Sequence, residues 1–443
     1  MRVSLGKSGV QTVSAATERE ILAALRCERT DLASSMSTLP HMLTPKEALE
    51  QILAEAKQSE FKEEVPLGEA CGRVLAAEVR SDVDLPPFEK SAMDGYAVRL
   101  ADFESAEGEV ELELVGESRA GDGFKGSVGV GQCVAIYTGA EAPGDCDAVV
   151  MIEKTRSEDR RVWITDAPKP RQNICSKGED LSDGQVVFEA GRRLRPVDLS
   201  VLAAVGCDPV PVFRRPRVAI LTTGDELIAP SEVPGPGQIR EGNTLHLAAM
   251  ARAAGASIEK VGRISDDLDV LSAAFDEALS CCDVLITTGG VSMGKYDLVG
   301  DALERVGAEQ LFHKIAIKPG KPVWFGRRGE ALVFGLPGNP VSCLVTHEVF
   351  VRPALARVGG CEAEVTERLA WGVWRGGETR SNFRQQNLPV RVEQNSEGGV
   401  ELRSVEWNSS ADVVALTTAE GLMVVPAGEK VRTGELVRYR PLA

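Results

Sequence analysis

Ala48, Leu49, Ile52, Leu53 and Ala56 recur at helical spacing, and Thr44-Pro45 just ahead of them supplies an N-cap and a first helical residue. The pattern predicts a helix over 43–56, leading into an extended segment. From 83 to 180 the texture is β: short alternating runs such as Val-Glu-Leu-Glu-Leu-Val at 110–115 and Cys-Val-Ala-Ile-Tyr at 133–137, punctuated by Gly and Pro. A helix over 198–205, closed by Gly206, follows. The β stretch therefore reads as an insertion between flanking segments. From 214 to 359 the pattern changes again. Apolar strand runs at 218–221, 283–286 and 331–335 alternate with helices at 244–254, 268–279 and 342–358. That alternation predicts an α/β unit with a parallel sheet under helical cover. After Gly360 short strands return at 388–392, 399–405, 421–425 and 435–439. Pro389 marks the first of these as an edge strand, in a small barrel or sandwich.

The division that follows is an extension (1–40, poorly ordered, with one short helix around 18–26), a linking unit (41–84 with 181–213), an inserted β unit (85–180), an α/β unit (214–359) and a C-terminal β unit (360–443). The length of 443 residues agrees with several domains at roughly 100–200 residues each. Lys and Arg number 50 against 66 Asp and Glu, a net charge of −16. Such a surface disfavours nucleic acid and anionic membranes, so an anionic substrate must be met by a local group of bases or by a metal. No apolar run approaches the roughly 18 residues of a spanning helix. Glu18, Glu20, Glu28 and Asp31 argue against an organellar transit peptide. The ten cysteines form no CxxC pair and there are four histidines, which speaks against structural zinc and a disulfide scaffold. The expectation is a cytoplasmic protein with reduced thiols.

Two predicted strands end alike, in Thr222-Thr223-Gly224-Asp225-Glu226 and in Thr287-Thr288-Gly289-Gly290-Val291-Ser292-Met293-Gly294-Lys295-Tyr296-Asp297. Ligands of open parallel sheets bind outside the carboxyl ends of strands, and hydroxyls, glycines and an acid there suit an anionic ligand. Tight βα turns are the plainer explanation of the same residues. Pro337-Gly338-Asn339-Pro340 follows a strand and opens a helix, a position where free N–H groups attract anions. Lys314, Lys318 and Lys321 form a local positive group. Lys314 and Lys318 fall on one face if the segment is a strand, and a guarded sheet edge is the alternative. His246 and His347 lie on predicted helices as packing or surface residues. No GxSxG elbow, P-loop or GxGxxG occurs, which disfavours Walker-type hydrolysis and nicotinamide chemistry.

Seven motifs then stand in order: SAMDGYAV at 91–98, TGAEAP at 138–143, GED at 178–180, TTGDEL at 222–227, TTGGVSMGKYD at 287–297, AIKPGKP at 316–322 and GLPGNPVS at 335–342. Together they resemble the molybdopterin molybdenumtransferase family, which inserts molybdenum during molybdenum cofactor synthesis and to which the E domain of gephyrin belongs. The likeness covers the chain from about Leu43 onward.

The resemblance implies an elongated homodimer whose clefts lie between the α/β unit of one subunit and the β unit of the other. It implies molybdate insertion into adenylylated molybdopterin, with hydrolysis of the phosphoanhydride and release of AMP and finished cofactor, and it implies Mg2+. The adenylyltransferase and molybdoenzyme acceptors are implied partners. Carried over by motif, Asp94, Asp180, Asp225, Asp297, Lys314 and Lys318 are catalytic, with Asp225 and Asp297 the metal ligands. Thr138, Glu179, Thr223, Gly224, Gly289, Gly290, Ser292, Gly294, Lys321, Pro337, Gly338, Asn339, Pro340 and Ser410 are substrate-binding. A molybdopterin adenylyltransferase, a scaffold on the same fold and a tungstate-handling variant are the alternatives. Two departures stand out. Glu89 replaces the usual Asp before SAMDG, and Glu241-Gly242-Asn243 replaces Asp-Ser-Asn. Arg380 and Arg384 belong to no placed motif.

Overall fold

The computed structural model describes residues 42–104, 108–290, 298–365 and 368–442. The predicted extension 1–40 lies outside them, as do Ser292, Gly294 and Asp297.

The first helix, Pro45–Glu55, begins as its sequence requires: Thr44 caps it, Glu47 closes a capping box and Pro45 opens the first turn. It belongs elsewhere than expected, however. Ala48 and Ile52 are buried in the same core as Val218, Ile286 and Phe334, so the helix covers the α/β sheet and is not part of a linking unit. The segments around the β unit do pair with each other. Lys62–Val65 runs antiparallel to Val210–Phe213, and Val79–Arg80 to Val186–Phe188. They share a core of Leu75, Leu194, Leu202 and Val212.

Asp198, at the start of helix Pro196–Ala204, anchors that core and is 2% exposed. It accepts from Arg192 Nη2 at 2.9 Å, Arg195 Nη2 at 3.0 Å and the Arg195 amide at 2.9 Å. Burial alone would raise its pKa, but the two guanidiniums and the amide outweigh burial and hold the carboxyl well below its usual range. A carboxyl depressed in the folded state adds stability above its unfolded pKa and loses it as pH falls through the folded value. Asp198→Asn is expected to cost about 2 kcal/mol at pH 7, below the full cost of a broken buried pair because both arginines reach water. In urea titrations the gap from the parent should narrow as pH drops below about 4. A gap that stays constant would take the carboxylate's charge out of the account.

The inserted unit is a six-stranded sheet with central strands Gly95–Val98, Gln132–Ile136 and Val110–Ser118. Among the described residues its cores contain none of the α/β unit. The α/β unit is three-layered. Its six strands stand in the order Ser257–Ile264, Arg217–Thr223, Val284–Thr288, Ala331–Leu336, Trp324–Arg328, Glu309–His313. The first four are parallel, and Trp324–Arg328 runs antiparallel to its neighbours, so the sheet is mixed at one side. The three strands absent from the sequence reading are the outer ones, whose polar positions blur the apolar runs. The predicted helix 342–358 is continuous but changes pitch: Pro340–Thr346, a π turn at His347–Val351, then Arg352–Val358.

The C-terminal unit closes on itself. Gln385–Gln394 pairs with Val400–Ser404 on one side and with Gly421–Val425 on the other, and Ala370–Trp374 and Leu436–Pro441 complete five strands in a barrel. Pro389 is therefore not on an edge. The ladder to Val400–Ser404 starts at Val390, one residue later, so the missing N–H costs that side no bond.

Candidate functional site

The chain leaves strand Arg217–Thr223 to one side, for Ser257–Ile264, and then crosses to the other, for Val284–Thr288. The carboxyl ends of 217–223 and 284–288 thus flank a topological switch point, where neighbouring crossovers diverge and open a crevice. Both Thr-Thr-Gly loops sit there. Thr222 Oγ1 lies 2.5 Å from Thr244 Oγ1 and Thr223 Oγ1 donates to Asp266 Oδ1. The Asp266 amide in turn donates to Asp225 Oδ1 at 3.2 Å. Asp225 itself is exposed. Gly289 has φ +91°, and a Cβ there would come within 2.2 Å of the Thr223 carbonyl oxygen. Only glycine lets the two loops touch, so Gly289 is accounted for by loop packing.

The Pro337–Pro340 loop is tied to both neighbours. Thr288 Oγ1 donates to the Pro337 carbonyl at 3.0 Å, and Asn243 Nδ2 to the Gly338 carbonyl at 2.6 Å. Asn339 Nδ2 donates to Ser410 Oγ at 2.7 Å, and the Val341 amide to the Ser410 carbonyl at 3.1 Å. Ser410, which no strong motif carried, is thus brought onto the loop by the C-terminal unit. The Val341 N–H at the helix start is thus taken by the Ser410 carbonyl.

Part of this arrangement lines a cleft of about 670 Å³ between the α/β unit and the 411–417 segment, while 223–225, 288–290, Pro337 and Ser410 lie outside its lining. Gly338, Asn339 and Pro340 line it, with Thr222, Glu241, Asn243 and His246. Glu241 explains one sequence departure. Its Oε1 accepts the Thr244 amide at 2.8 Å and so caps helix Asn243–Ala253, while Asn243 keeps the bond to the Pro337–Pro340 loop. A groove of about 780 Å³ between the linking segments and 360–364 holds none of the predicted residues that the structure describes.

The lysine segment differs from its sequence reading. Lys314 has φ +80°, so no single strand carries Lys314 and Lys318 on one face. Strand Glu309–His313 ends before it, and Ile317–Lys318 pairs in parallel with Gln385–Gln386 at the outer side of the barrel sheet. Arg384 Nη1 reaches the Ile317 carbonyl at 3.4 Å, which places beside Lys318 an arginine that no motif located.

The β-unit residues form a second group. Asp94 accepts the Thr138 amide at 2.7 Å and the Thr138 hydroxyl at 2.8 Å, and these two bonds hold its carboxyl below the usual range. Glu179 Oε2 takes the Ser176 amide at 2.7 Å, the Asp180 amide donates to Leu85 at 2.9 Å, and both carboxylates are exposed. Glu89 uses its extra methylene to reach Arg171 Nη1 at 2.6 Å. None of these residues lines the 670 Å³ cleft of the same chain. Asp225, Lys314, Lys318 and Lys321 also lie outside its lining. Among the described residues no cluster of three or more His, Cys, Asp or Glu is preassembled to hold a metal. Asp266 and Asn243 were missed in the sequence because each lies far along the chain from the loop it holds.

Three family models match consecutive stretches: "MoeA N-terminal region (domain I and II)" over 43–206, "Probable molybdopterin binding domain" over 219–357 and "MoeA C-terminal region (domain IV)" over 377–442. The chain is 36% identical to a molybdopterin molybdenumtransferase of a Nostoc species, covering 82% of this chain and 85% of the relative. It is 35% identical to one of Haemophilus influenzae, with 90% and 98% covered. A crystal structure of a molybdopterin biosynthesis MoeA protein from Pyrococcus horikoshii superposes with a TM-score of 0.78 at 32% identity, over 90% of this chain and 99% of that one.

Proposed function

The chain belongs to the molybdopterin molybdenumtransferase family, and from that premise we propose that its switch-point crevice takes adenylylated molybdopterin and molybdate and releases AMP and molybdenum cofactor. The observation that carries this reading is that three separate loops meet at the switch point: 288–290 packs on Thr223 at Gly289 and is bonded to Pro337 through Thr288, while Asn243 and Ser410 hold Gly338 and Asn339. Gly289 lets the 222–225 and 288–290 loops close on each other at the strand ends. Asp225 stands exposed beside the crevice, held through one oxygen by the Asp266 amide.

Magnesium fits this donor set. It binds proteins through one or two carboxylates and keeps water and phosphate oxygens for its other positions. Asp225 offers such a carboxylate, and Asp297 is the second ligand we propose. Bound there, the ion supplies charge neutralisation at the anhydride. Lys314, Lys318 and Lys321, joined by Arg384, neutralise oxyanion charge. In this reading Asp94, Thr138, Glu179 and Asp180 reach the crevice from a second subunit, since no described residue of the α/β unit belongs to the cores of their β unit. The protein works in the cytoplasm as a homodimer, receives its substrate from an adenylyltransferase and passes its product to molybdoenzymes.

The deciding experiment is incubation of the purified protein with adenylylated molybdopterin, magnesium and molybdate, following AMP and the activation of a molybdenum-free acceptor enzyme. AMP and active acceptor are expected together. Adenylylation of molybdopterin from ATP, with no AMP formed from the adenylylated substrate, would assign the preceding reaction instead.

Lys318 separates two roles, since its strand lies at the outer side of the barrel sheet. As a binding group it acts as a near-point charge that Gln cannot replace. Lys318→Gln is expected to raise the half-saturating molybdate or substrate concentration about tenfold at low ionic strength, and less at high salt. Unchanged affinity with new self-association in sedimentation would make Lys318 an edge guard.

A further inference from the structure

The cleft of about 670 Å³ beside the switch point is lined mainly by hydrocarbon, with Leu227, Ile239, Pro340, Val413 and Leu416 among its side chains. Ile239 is 56% exposed and Val413 57%, so both are open to an occupant. Size and lining are those of a site for one small organic molecule. Thr222 lines the cleft too and stands directly before the 223–225 loop, so a ligand seated here can extend to the strand ends.

Two polar side chains in this lining have hydrogen-bonding capacity to spare. Glu241 Oε1 accepts the Thr244 amide at 2.8 Å and lies 3.5 Å from the Thr222 hydroxyl. Its Oε2 has no hydrogen-bond partner among the described residues and is open to solvent. No lysine or arginine among those residues forms an ion pair with Glu241. His246 makes no side-chain hydrogen bond either, and its ring nitrogens are not shut away. Burial, with His347 close by, holds its imidazole below the usual pKa, so the ring is neutral at neutral pH. A carboxylate without a cation, in a cleft that is otherwise largely apolar, calls for a ligand that donates N–H groups. It repels phosphate, so the anionic part of a substrate belongs outside the cleft.

We propose that this cleft holds the pterin ring of the substrate and that Glu241 selects it. The assignment rests on the reading of the substrate as an adenylylated pterin. A pterin carries an amino group beside a ring N–H, two donors on one edge. A carboxylate accepts such a pair across its two oxygens: Oε2 is free, and Oε1 keeps a second lone pair beside the Thr244 bond. Adenine offers one amino group flanked by an acceptor nitrogen, which would face the carboxylate lone pair to lone pair. The ring faces lie on Ile239, Val413 and Leu416, and His246 is a further polar contact.

The test is titration calorimetry at neutral pH on the full-length protein with free pterin, lumazine and adenosine, with no phosphate, molybdate or magnesium present. Lumazine keeps the bicyclic ring but has a carbonyl in place of the amino group. One pterin per chain is expected to bind saturably in the sub-millimolar range, about tenfold tighter than lumazine or adenosine. Glu241→Gln keeps an oxygen for the Thr244 amide, so helix Asn243–Ala253 stays capped. The variant should bind pterin about tenfold more weakly and lumazine as the parent does. A loss shared equally by both ligands would be a structural effect and would overturn the selecting role of Glu241, as would unchanged pterin affinity in the variant. Absence of saturable pterin binding, or lumazine or adenosine binding as tightly, would overturn the assignment of the cleft. Turnover of the adenylylated substrate by a protein that fails this test would leave the proposed reaction standing. Pterin selection without turnover would refute the reaction and keep the site.

Discussion

Asp225→Asn is expected to lower turnover at saturating substrate and magnesium by at least about a hundredfold, equivalent to roughly 2.7 kcal/mol of barrier. The substitution preserves shape and leaves an oxygen to accept the Asp266 amide, so the loop keeps its hydrogen bond. What disappears is the negative charge beside the switch-point crevice, where the proposed cation and phosphoanhydride would meet. Asp225 is exposed and belongs to no core cluster, so the melting temperature should hardly move. A variant within twofold of the parent, at matched fold and magnesium, would remove Asp225 from the chemistry. Asp266→Asn makes an informative companion. It keeps the amide bond to Asp225 but weakens the acceptor for Thr223, so a smaller loss is expected from positioning alone.

Mixing two inactive proteins should restore activity. Asp94→Ala removes the partner of Thr138 in the β unit, and Asp225→Ala removes the crevice carboxylate. If each site draws Asp94 from one subunit and Asp225 from the other, either homodimer has no complete site. A heterodimer has one intact site and one lacking both groups. Random exchange of equal amounts then yields about one quarter of parental activity, the share set by a symmetric dimer. The structural motive is that no described residue of the α/β unit belongs to the β unit's cores. Persistent inactivity after subunit exchange has been verified by mass would mean that sites are built within single chains.

Much of the fold was legible because burial imposes period. Helix Leu268–Leu279 matches its apolar spacing end to end, since Leu271, Phe275 and Leu279 each face one core. The strands 217–223, 284–288 and 331–336 are buried along their length and read as apolar runs. Ser257–Ile264 was not legible. It alternates intermediate and exposed positions at the outer side of the sheet, and its apolar residues are too sparse to mark it. Pro389 misled for a related reason. A proline forbids a donor at one residue, but whether that donor is needed depends on where the neighbouring ladder begins, and here the ladder starts at Val390.

Of the candidate site, the sequence by itself determined the residue types at the strand ends and their family. Glycine, threonine and carboxylate there reflect demands that act over a few residues: a turn with positive φ, a hydroxyl within reach, a charge at a strand terminus. Tertiary structure alone decided what those residues meet. It placed Ser410 on Asn339 and Asn243 on Gly338, set Arg384 beside the lysine segment, gave Asp266 its hold on Thr223 and Asp225, and turned Lys314 off the face of Lys318. The partners in these pairs come from different elements of the fold, and chain spacing says nothing about such pairs. They meet because the sheet order brings the strand ends together and the closed barrel returns the C-terminal segment to the same crevice, a consequence of packing whole elements and not of any local preference.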